Sequence, residues 1–323
     1  MQIRRRQLLI AAGMALAAPL AEAQPKQRLI GQLSFAAGPD ARDPVITQGL
    51  RDLGWVEGQN LRTEYRWAAN DSARLAAMAQ ELVRLKVDVI VARATPAVQA
   101  AKNATATIPI VMISADPVAS GFVASLARPG ANVTGLSMMM PALAGKRLEL
   151  LRELLPKLSR VAFLAHGGDP AHTSFIRETE VAGRKLGVQV QPLVVHRPEE
   201  YEGAFAAMAK ERADALIIQP LFVNTLAQGP RLAELAAANR LPTISDGAPF
   251  ADAGGLLFYG ADPVDTWKRI AVFIDKILKG ANPAELPVEQ PQKFQLIVNL
   301  QTAKRLGLTM PQILLLRADR VIE

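Results

Sequence analysis

The chain has 323 residues, 50% of them hydrophobic and 21% charged, with no cysteine and a formal charge of +7. This composition excludes a largely disordered chain, and the length fits one large domain or two medium ones, because a single core stops growing near ~250 to 300 residues. Disulfide scaffolds, thiolate metal sites and cysteine nucleophiles are excluded, and a mild positive excess without a basic run reads as solubility charge rather than a nucleic-acid footprint.

The first 23 residues have the three parts of an export signal in order. Arg4, Arg5 and Arg6 form the charged start. Leu8 to Leu20 is an apolar run well short of the ~20 residues a helix needs to cross ~30 Å of hydrocarbon. Ala21-Glu22-Ala23 supplies small residues at the two positions a signal peptidase inspects, so the mature chain is expected to begin at Gln24. No cysteine follows the cut, which predicts export without a lipid anchor. Arg5-Arg6-Gln7-Leu8-Leu9 also approximates a twin-arginine signal, the route taken by folded proteins.

Past Gln24, short β-branched apolar runs alternate with longer amphipathic ones. In chain order the expected strands are 28–34, 61–67, 87–92, 108–113, 132–136, 160–165, 188–195, 215–219, 242–245, 256–259 and 295–298. Most are nearly continuous in Val, Ile and Leu, as strands covered on both faces must be. The expected helices are 42–53, 72–85, 96–104, 142–155, 170–186, 199–212, 225–239 and 263–279. Strand-helix alternation of this kind predicts parallel sheets with right-handed crossovers. The first four strands and their helices make one α/β unit, and a second series starts at Arg160. After Pro283 an extended segment leads to one more strand and helix.

Thr95-Pro96, Asp116-Pro117, Asp169-Pro170 and Asp262-Pro263 each place a capping oxygen before a proline, whose missing N–H is harmless in a first turn. Three of these pairs come just after a strand. That is where open parallel sheets bind ligands, outside the carboxyl ends of the strands and near helix N-termini.

A catalytic constellation cannot be assembled. His166, His172 and His196 are the only histidines, no serine lies in a G-x-S-x-G elbow, and neither H-E-x-x-H nor a P-loop occurs. His166 and His172, six residues apart across Gly167-Gly168, have weak spacing for a metal. Met138-Met139-Met140 reads as packing rather than a soft-metal site. No cofactor, no metal and no enzymatic activity are expected, with a hydrolase as the remote alternative. A sugar-type transcription regulator is also excluded, since an export signal stands where its DNA-binding headpiece would be.

Several segments carry a specific resemblance. Gly49-Leu50-Arg51-Asp52-Leu53-Gly54-Trp55-Val56-Glu57-Gly58-Gln59-Asn60, Glu64-Tyr65-Arg66-Trp67, Val87-Asp88-Val89-Ile90-Val91 and Ile108-Pro109-Ile110-Val111 come first. Arg128-Pro129-Gly130-Ala131-Asn132-Val133-Thr134-Gly135, Lys146-Arg147-Leu148-Glu149-Leu150-Leu151, Leu286-Pro287-Val288-Glu289-Gln290-Pro291 and Asn299-Leu300-Gln301-Thr302-Ala303-Lys304-Arg305-Leu306-Gly307-Leu308 follow in the same order. Together they resemble the ABC-transporter substrate-binding proteins typified by tryptophan- and tyrosine-binding lipoproteins, over essentially the whole mature chain. The resemblance implies an α/β fold of the type I periplasmic-binding-protein class: two Rossmann-like lobes with parallel sheets joined by a multi-stranded hinge. Residues 28–134 and 260–290 would form lobe I, and 135–259 and 291–323 lobe II.

It further implies a monomeric periplasmic receptor, whose partners are a small-molecule ligand, amino-acid-like or a carboxylate, and an inner-membrane ABC permease. A receptor that reports its ligand to a membrane sensor is the alternative role. On this geometry the ligand-binding candidates are Ser34, Phe35, Arg93, Thr95 and Asp116 from lobe I, and His166, Pro220, Asp246 and Tyr259 from lobe II. Asp116 and Asp246 would receive an ammonium, while Ser34 and Thr95 would hold a carboxylate. Arg93 stands where many relatives have a small residue, and His166-Gly167-Gly168 replaces a commoner Asn-Pro turn. An arginine there would favour an anionic ligand.

Overall fold

The run Arg28–Ser34 forms β1, and alternation along it sends Leu29 and Leu33 to one face of a sheet and Ile30 to the other. Residues 27–39, 42–223 and 228–323 are described by the structure, a computed structural model. The expected export signal at 1–23 lies outside them.

The first sheet contains β1, β2 (Leu61–Trp67), β3 (Val89–Arg93), β4 (Ile110–Ser114) and β5 (Val133–Ser137), in the order β2-β1-β3-β4-β5, all parallel. The chain passes through α1 (Asp43–Asp52), α2 (Ser72–Arg84) and α3 (Thr95–Ala104) between the first four strands. Leu75 and Leu82 of α2 and Val98 of α3 cover one face with Leu33, Ile90 and Ile110. Ile46 and Leu50 of α1 cover the other with Ile30, Val89 and Val91.

The second sheet contains seven strands in the order β12-β11-β10-β9-β8-β6-β7. In chain order its elements are α4 (Ala144–Leu154), β6 (Arg160–His166), α5 (His172–Leu186), β7 (Gln189–Val195), α6 (Tyr201–Lys210), β8 (Ala215–Ile218), α7 (Pro220–Val223), α8 (Gly229–Ala238), β9 (Thr243–Ser245), α9 (Pro249–Asp252) and β10 (Leu257–Ala261). There follow α10 (Pro263–Leu278), β11 (Phe294–Asn299), α11 (Leu300–Arg305), α12 (Gln312–Arg317) and β12 (Arg320–Ile322). Leu148, Leu151 and Phe175 build one of its cores, and Phe205, Met208 and Leu232 the other.

Although α10 follows a strand of the second sheet, it packs on the first. Its Trp267, Ile270 and Ile274 join Ile30, Ile46 and Val91. The chain therefore crosses between sheets three times: after Ser137, after Ala261, and between Glu289 and Phe294. Met140, on the first crossing, packs against the cores of both lobes. The third crossing runs beside β5, where Glu289 N–H donates to the Gly135 carbonyl at 2.9 Å and Ser137 N–H to the Glu289 carbonyl at 2.9 Å. The expected division at 134/135 falls inside β5, and that at 259/260 inside β10.

Not every strand is parallel. β10 and β11 pair antiparallel, Leu257 opposite Val298. The reason is topological: β11 enters the second lobe directly from the third crossing, without the crossover helix a parallel partner needs. The Asp-Pro signals also divide by outcome. Asp262 caps α10, its Oδ1 accepting from Val264 N–H at 2.9 Å and Asp265 N–H at 3.2 Å. Thr95 is instead the first residue of α3, preceded by Ala94 at φ 80°. Asp116 caps only a turn, through Ala119 N–H at 3.0 Å, and Asp169 precedes the start of α5 at His172.

Candidate functional site

The carboxyl ends of the two sheets are turned toward each other, where Phe35 meets His166 and Leu221 enters the first lobe's core. From the first lobe come Ser34 and Phe35 after β1, Arg93 and Thr95 around the β3 end, and Asp116 after β4. From the second come His166 at the end of β6, Pro220 after β8, Asp246 after β9, and Tyr259 within β10. Eight of the nine residues expected at the site thus lie at or just past strand ends, Tyr259 being mid-strand, and their side chains are engaged differently.

One group meets across the cleft. The Phe35 ring is edge-on to the His166 ring, with centroids 6.0 Å apart and planes at 88°. His166 in turn packs on Phe222 of α7 at 5.1 Å, and Phe222 on Tyr201 at 5.9 Å. This aromatic series joins the lobes, and such pairs add about 0.5–1.5 kcal/mol each beyond area burial. Leu221, next to Pro220, packs into the first lobe's core. Gly167 and Gly168 let the turn sit close: a Cβ on Gly167 would fall 2.1 Å from His196 Cε1, and one on Gly168 3.5 Å from Ser72 Oγ of the first lobe. The His-Gly-Gly turn, noted in the sequence as a departure from relatives, is a contact platform between lobes.

A second group is committed within its own lobe. Arg93 forms a buried ion pair with Asp43, and its guanidinium lies 5.3 Å from the Trp267 ring centroid, with Arg42 at 5.1 Å from the same ring. The expectation that Arg93 serves an anionic ligand meets this arrangement, because α1 and α10 already hold the charge. Asp246 likewise faces Arg147, carboxylate Oδ2 to Nη2 at 2.7 Å, with both side chains only 2% exposed. Its expected role as an ammonium receiver meets a cation supplied by the chain itself. Thr95 Oγ1 accepts from Ala115 N–H at 3.3 Å and lies 3.4 Å from Ser114 Oγ. Ser34 Oγ accepts from Ala36 N–H at 3.2 Å. Tyr259 stacks on Phe294 at 6.2 Å.

Sequence reasoning missed Arg147, Asp169 and Gln219. Asp169 is buried, with Oδ1 accepting from Ala171 N–H at 2.9 Å and Oδ2 from Gln219 Nε2 at 2.6 Å, and the Gln219 Oε1 accepts from His166 N–H at 2.7 Å. The Asp-Pro pair just after a strand was a visible signal for Asp169, which was not carried into the list of ligand-binding candidates. Nothing in Lys146-Arg147-Leu148 distinguishes Arg147 from a surface residue of an amphipathic helix. His166 Nδ1 accepts from Gly168 N–H at 3.0 Å, and His172 Nδ1 lies 2.7 Å from the Asp169 carbonyl. Both rings are thus tied to backbone. Among the described residues no group of three or more His, Asp or Glu side chains could hold a metal ion.

Burial sets the charge states. It lowers the His166 pKa to about 4, with His196 and His172 acting in the same sense and Glu200 against it. It raises Asp169 to about 6 against the hydrogen bond from Ala171. The two windows have opposite signs. A depressed histidine favours the fold above its unfolded value near 6.5 and loses that contribution as pH falls toward 4. A raised carboxyl favours the fold below its unfolded value near 3.9 and loses that contribution as pH climbs through 6. His166→Gln removes the first effect alone. The melting advantage of the parent over this variant is expected to shrink by about 2 kcal/mol, roughly 4–8 °C, between pH 7 and pH 4, allowing for solvent at the ring's open edge. A difference that does not vary with pH in calorimetric melts refutes it.

Comparison with known proteins places this geometry. The profile of the family described as ABC transporter substrate binding protein matches residues 37–322. A tyrosine-binding protein of Clostridioides difficile (strain R20291) is 27% identical over 288 residues, 88% of this chain and 82% of the relative. Among solved structures, the ABC domain in complex with L-Trp from Streptococcus pneumonia superposes with a TM-score of 0.83 at 27% identity, covering 92% of this chain and 100% of that one. The ligand-free, open structure of a substrate binding protein with adhesive properties from Clostridium difficile gives 0.66 at 26% identity, covering 91% and 99%. A match that runs from the first lobe to the last strand, on a shared two-lobe frame, makes this chain a member of the ABC transporter substrate binding protein family with the type I periplasmic-binding-protein fold.

Proposed function

We propose that the protein is the periplasmic receptor of an ABC importer, acting as a monomer that closes on an amino-acid-like or carboxylate ligand and delivers it to a membrane permease. Members of this family bind a solute and do not transform it. The observation that carries the reading is the pair of strand-end surfaces brought together through Phe35 and His166. A ligand held between them touches both lobes only when they are closed, and it shifts the population by its differential affinity for that state. The relatives named for tyrosine and L-Trp support an amino acid over other solutes.

Within this reading Ser34, Phe35, Thr95, Asp116, His166 and Pro220 are the contact residues. Asp116 takes the ammonium, since it is only part-buried after its strand while Asp246 is held by Arg147. Arg93 and Asp246 act one layer behind the ligand, by fixing the strand ends.

The test is a thermal-shift screen of the mature chain against amino acids, small carboxylates and nucleosides. Ligand at about 100 times its dissociation constant adds about 2.7 kcal/mol, a readily measured rise in the midpoint. An amino acid is expected to give it, and Asp116→Asn to abolish it. If no compound shifts the midpoint while an ester or amide is turned over, the reading is replaced by a hydrolase.

A further inference from the structure

We infer that Arg147 is a positioning residue for lobe closure: it fastens the first crossing to the strand that feeds the second, and so sets the axis about which the lobes turn. The inference rests on the two-lobe closure proposed above, and three observations carry it.

The first is reach. From the opening turn of α4, the Arg147 guanidinium donates through Nη1 to the Met140 carbonyl at 2.8 Å and through Nε to the Tyr259 carbonyl at 3.3 Å. Nη2 lies 2.7 Å from Asp246 Oδ2. Met140 belongs to the first crossing and Tyr259 to the strand that feeds the second, while Asp246 lies buried in the turn after β9. A planar fork that addresses three directions at once is particular to arginine; an ammonium is a point charge and cannot reproduce it.

The second is placement at a junction. Met140 packs against both lobes' cores, and the residue before it, Met139, is in the left-handed region at φ 51°, a conformation that opposes a side chain. On the second crossing, Ala261 already belongs to the first lobe's core. Tyr259 belongs to the second lobe through its pairing with Leu296, and Arg147 binds Met140 to it, so both travel with that lobe. Rotation is left to the backbone on the far side of each anchor, at Met138-Met139 and at Ala261-Asp262.

The third is the contrast with the remaining crossing. It is tied to α10, through Arg269 Nη2 to Glu289 Oε1 at 2.5 Å and Lys293 Nζ to Asp265 Oδ1 at 3.4 Å, and to β5 through the Glu289 backbone. It therefore follows the first lobe. Two strands clamped to one lobe and one to the other define a pivot line, whereas three loose strands would not. A buried ion pair is a weak source of stability compared with apolar residues of the same volume, so its geometry, rather than its energy, explains what the guanidinium does here.

The absence of cysteine from the sequence makes the test direct. Ala119→Cys and Glu199→Cys put spin labels on exposed rims of the first and second lobe, and the distance distribution is measured without ligand in the full mature chain. The parent is expected to give one narrow peak. Arg147→Lys and Arg147→Met are expected to broaden it and to raise a longer-distance population above the ~10% of an ordinary minor state; Asp246→Asn should do so more weakly. Leu148→Ala, in the core beside Arg147, is the control: it lowers the melting temperature and leaves the distribution unchanged. Parent-like distributions in both Arg147→Lys and Asp246→Asn overturn the inference, as does equal broadening by Leu148→Ala. Should Arg147→Met fail to fold, the other two variants decide. The closure reading fails separately, if no amino acid that raises the melting midpoint changes the parent's distance.

Discussion

Replacing Asp246 by leucine is expected to destabilise the chain by about 3–5 kcal/mol, because it leaves the Arg147 guanidinium buried without a counter-charge. Both side chains of the pair are almost fully enclosed. Burial pushes the Asp246 carboxyl up to about 6 against the pull of Arg147, and it pulls the Arg147 guanidinium down against the pull of Asp246. Each charge thus resists its surroundings and tolerates them through its partner. At roughly 2–4 °C per kcal/mol for a domain of this size, the midpoint should fall by about 10 °C. The double variant Arg147→Met/Asp246→Leu removes both charges and keeps apolar volume, so it should recover most of the loss. Melting curves that show the double variant falling by the sum of the single ones would mean that the pair is not coupled.

A loss of similar size, about 3–5 kcal/mol, is expected for Gly135→Ala, from overpacking and backbone strain together. Gly135 has φ +130°, and a Cβ there would lie 2.3 Å from the Met112 carbonyl oxygen and 2.6 Å from Met112 N. The atoms it meets belong to the neighbouring strand's backbone and cannot rotate away. The carbonyl of Gly135 also accepts from Glu289 N–H at 2.9 Å, so a shift of β5 disturbs the third crossing as well. Gly187 provides the comparison. It ends α5 at φ +68° with nothing within 4 Å of an added Cβ, so Gly187→Ala carries only the conformational penalty, about 1 kcal/mol. Equal melting temperatures for the two variants would show that the strand approach at Met112 is not what excludes a side chain.

Much of the architecture was legible because it depends on local patterns. β1 and β2 have the bounds expected from their apolar runs, Arg28–Ser34 and Leu61–Trp67, and the main helices begin and end within a few residues of the amphipathic segments. The reversal of β11 was not legible, since the segment Phe294–Asn299 has the same apolar run in either direction and its partner is chosen by a crossing far away in sequence. Short helices such as α7, α9 and α12 were missed because four to six residues hold too little periodicity to show.

The site was half legible for a different reason. That strand ends are where candidate side chains should be sought follows from parallel-sheet geometry, and eight of the nine candidates lie at or just past them. Which of them face the cleft depends on partners supplied by other elements. Arg93 is claimed by Asp43 and Trp267, and Asp246 by Arg147. A charged residue at a strand end therefore has two possible destinations, and only the packing of α1, α4 and α10 decides between them.

The placement of α10 on the first sheet also orders how this protein is made. Once Ser137 has left the ribosome every strand of that sheet exists, yet the face bearing Ile30, Val89 and Val91 still lacks Ile270 and Ile274. Those residues arrive only after five of the other lobe's seven strands have been synthesised. Until then the nascent chain carries an uncovered apolar wall, the kind of surface that recruits holding chaperones and favours aggregation. The N-terminal unit is thus the first to be translated, yet it is completed only with α10, shortly before the last two strands of the other lobe.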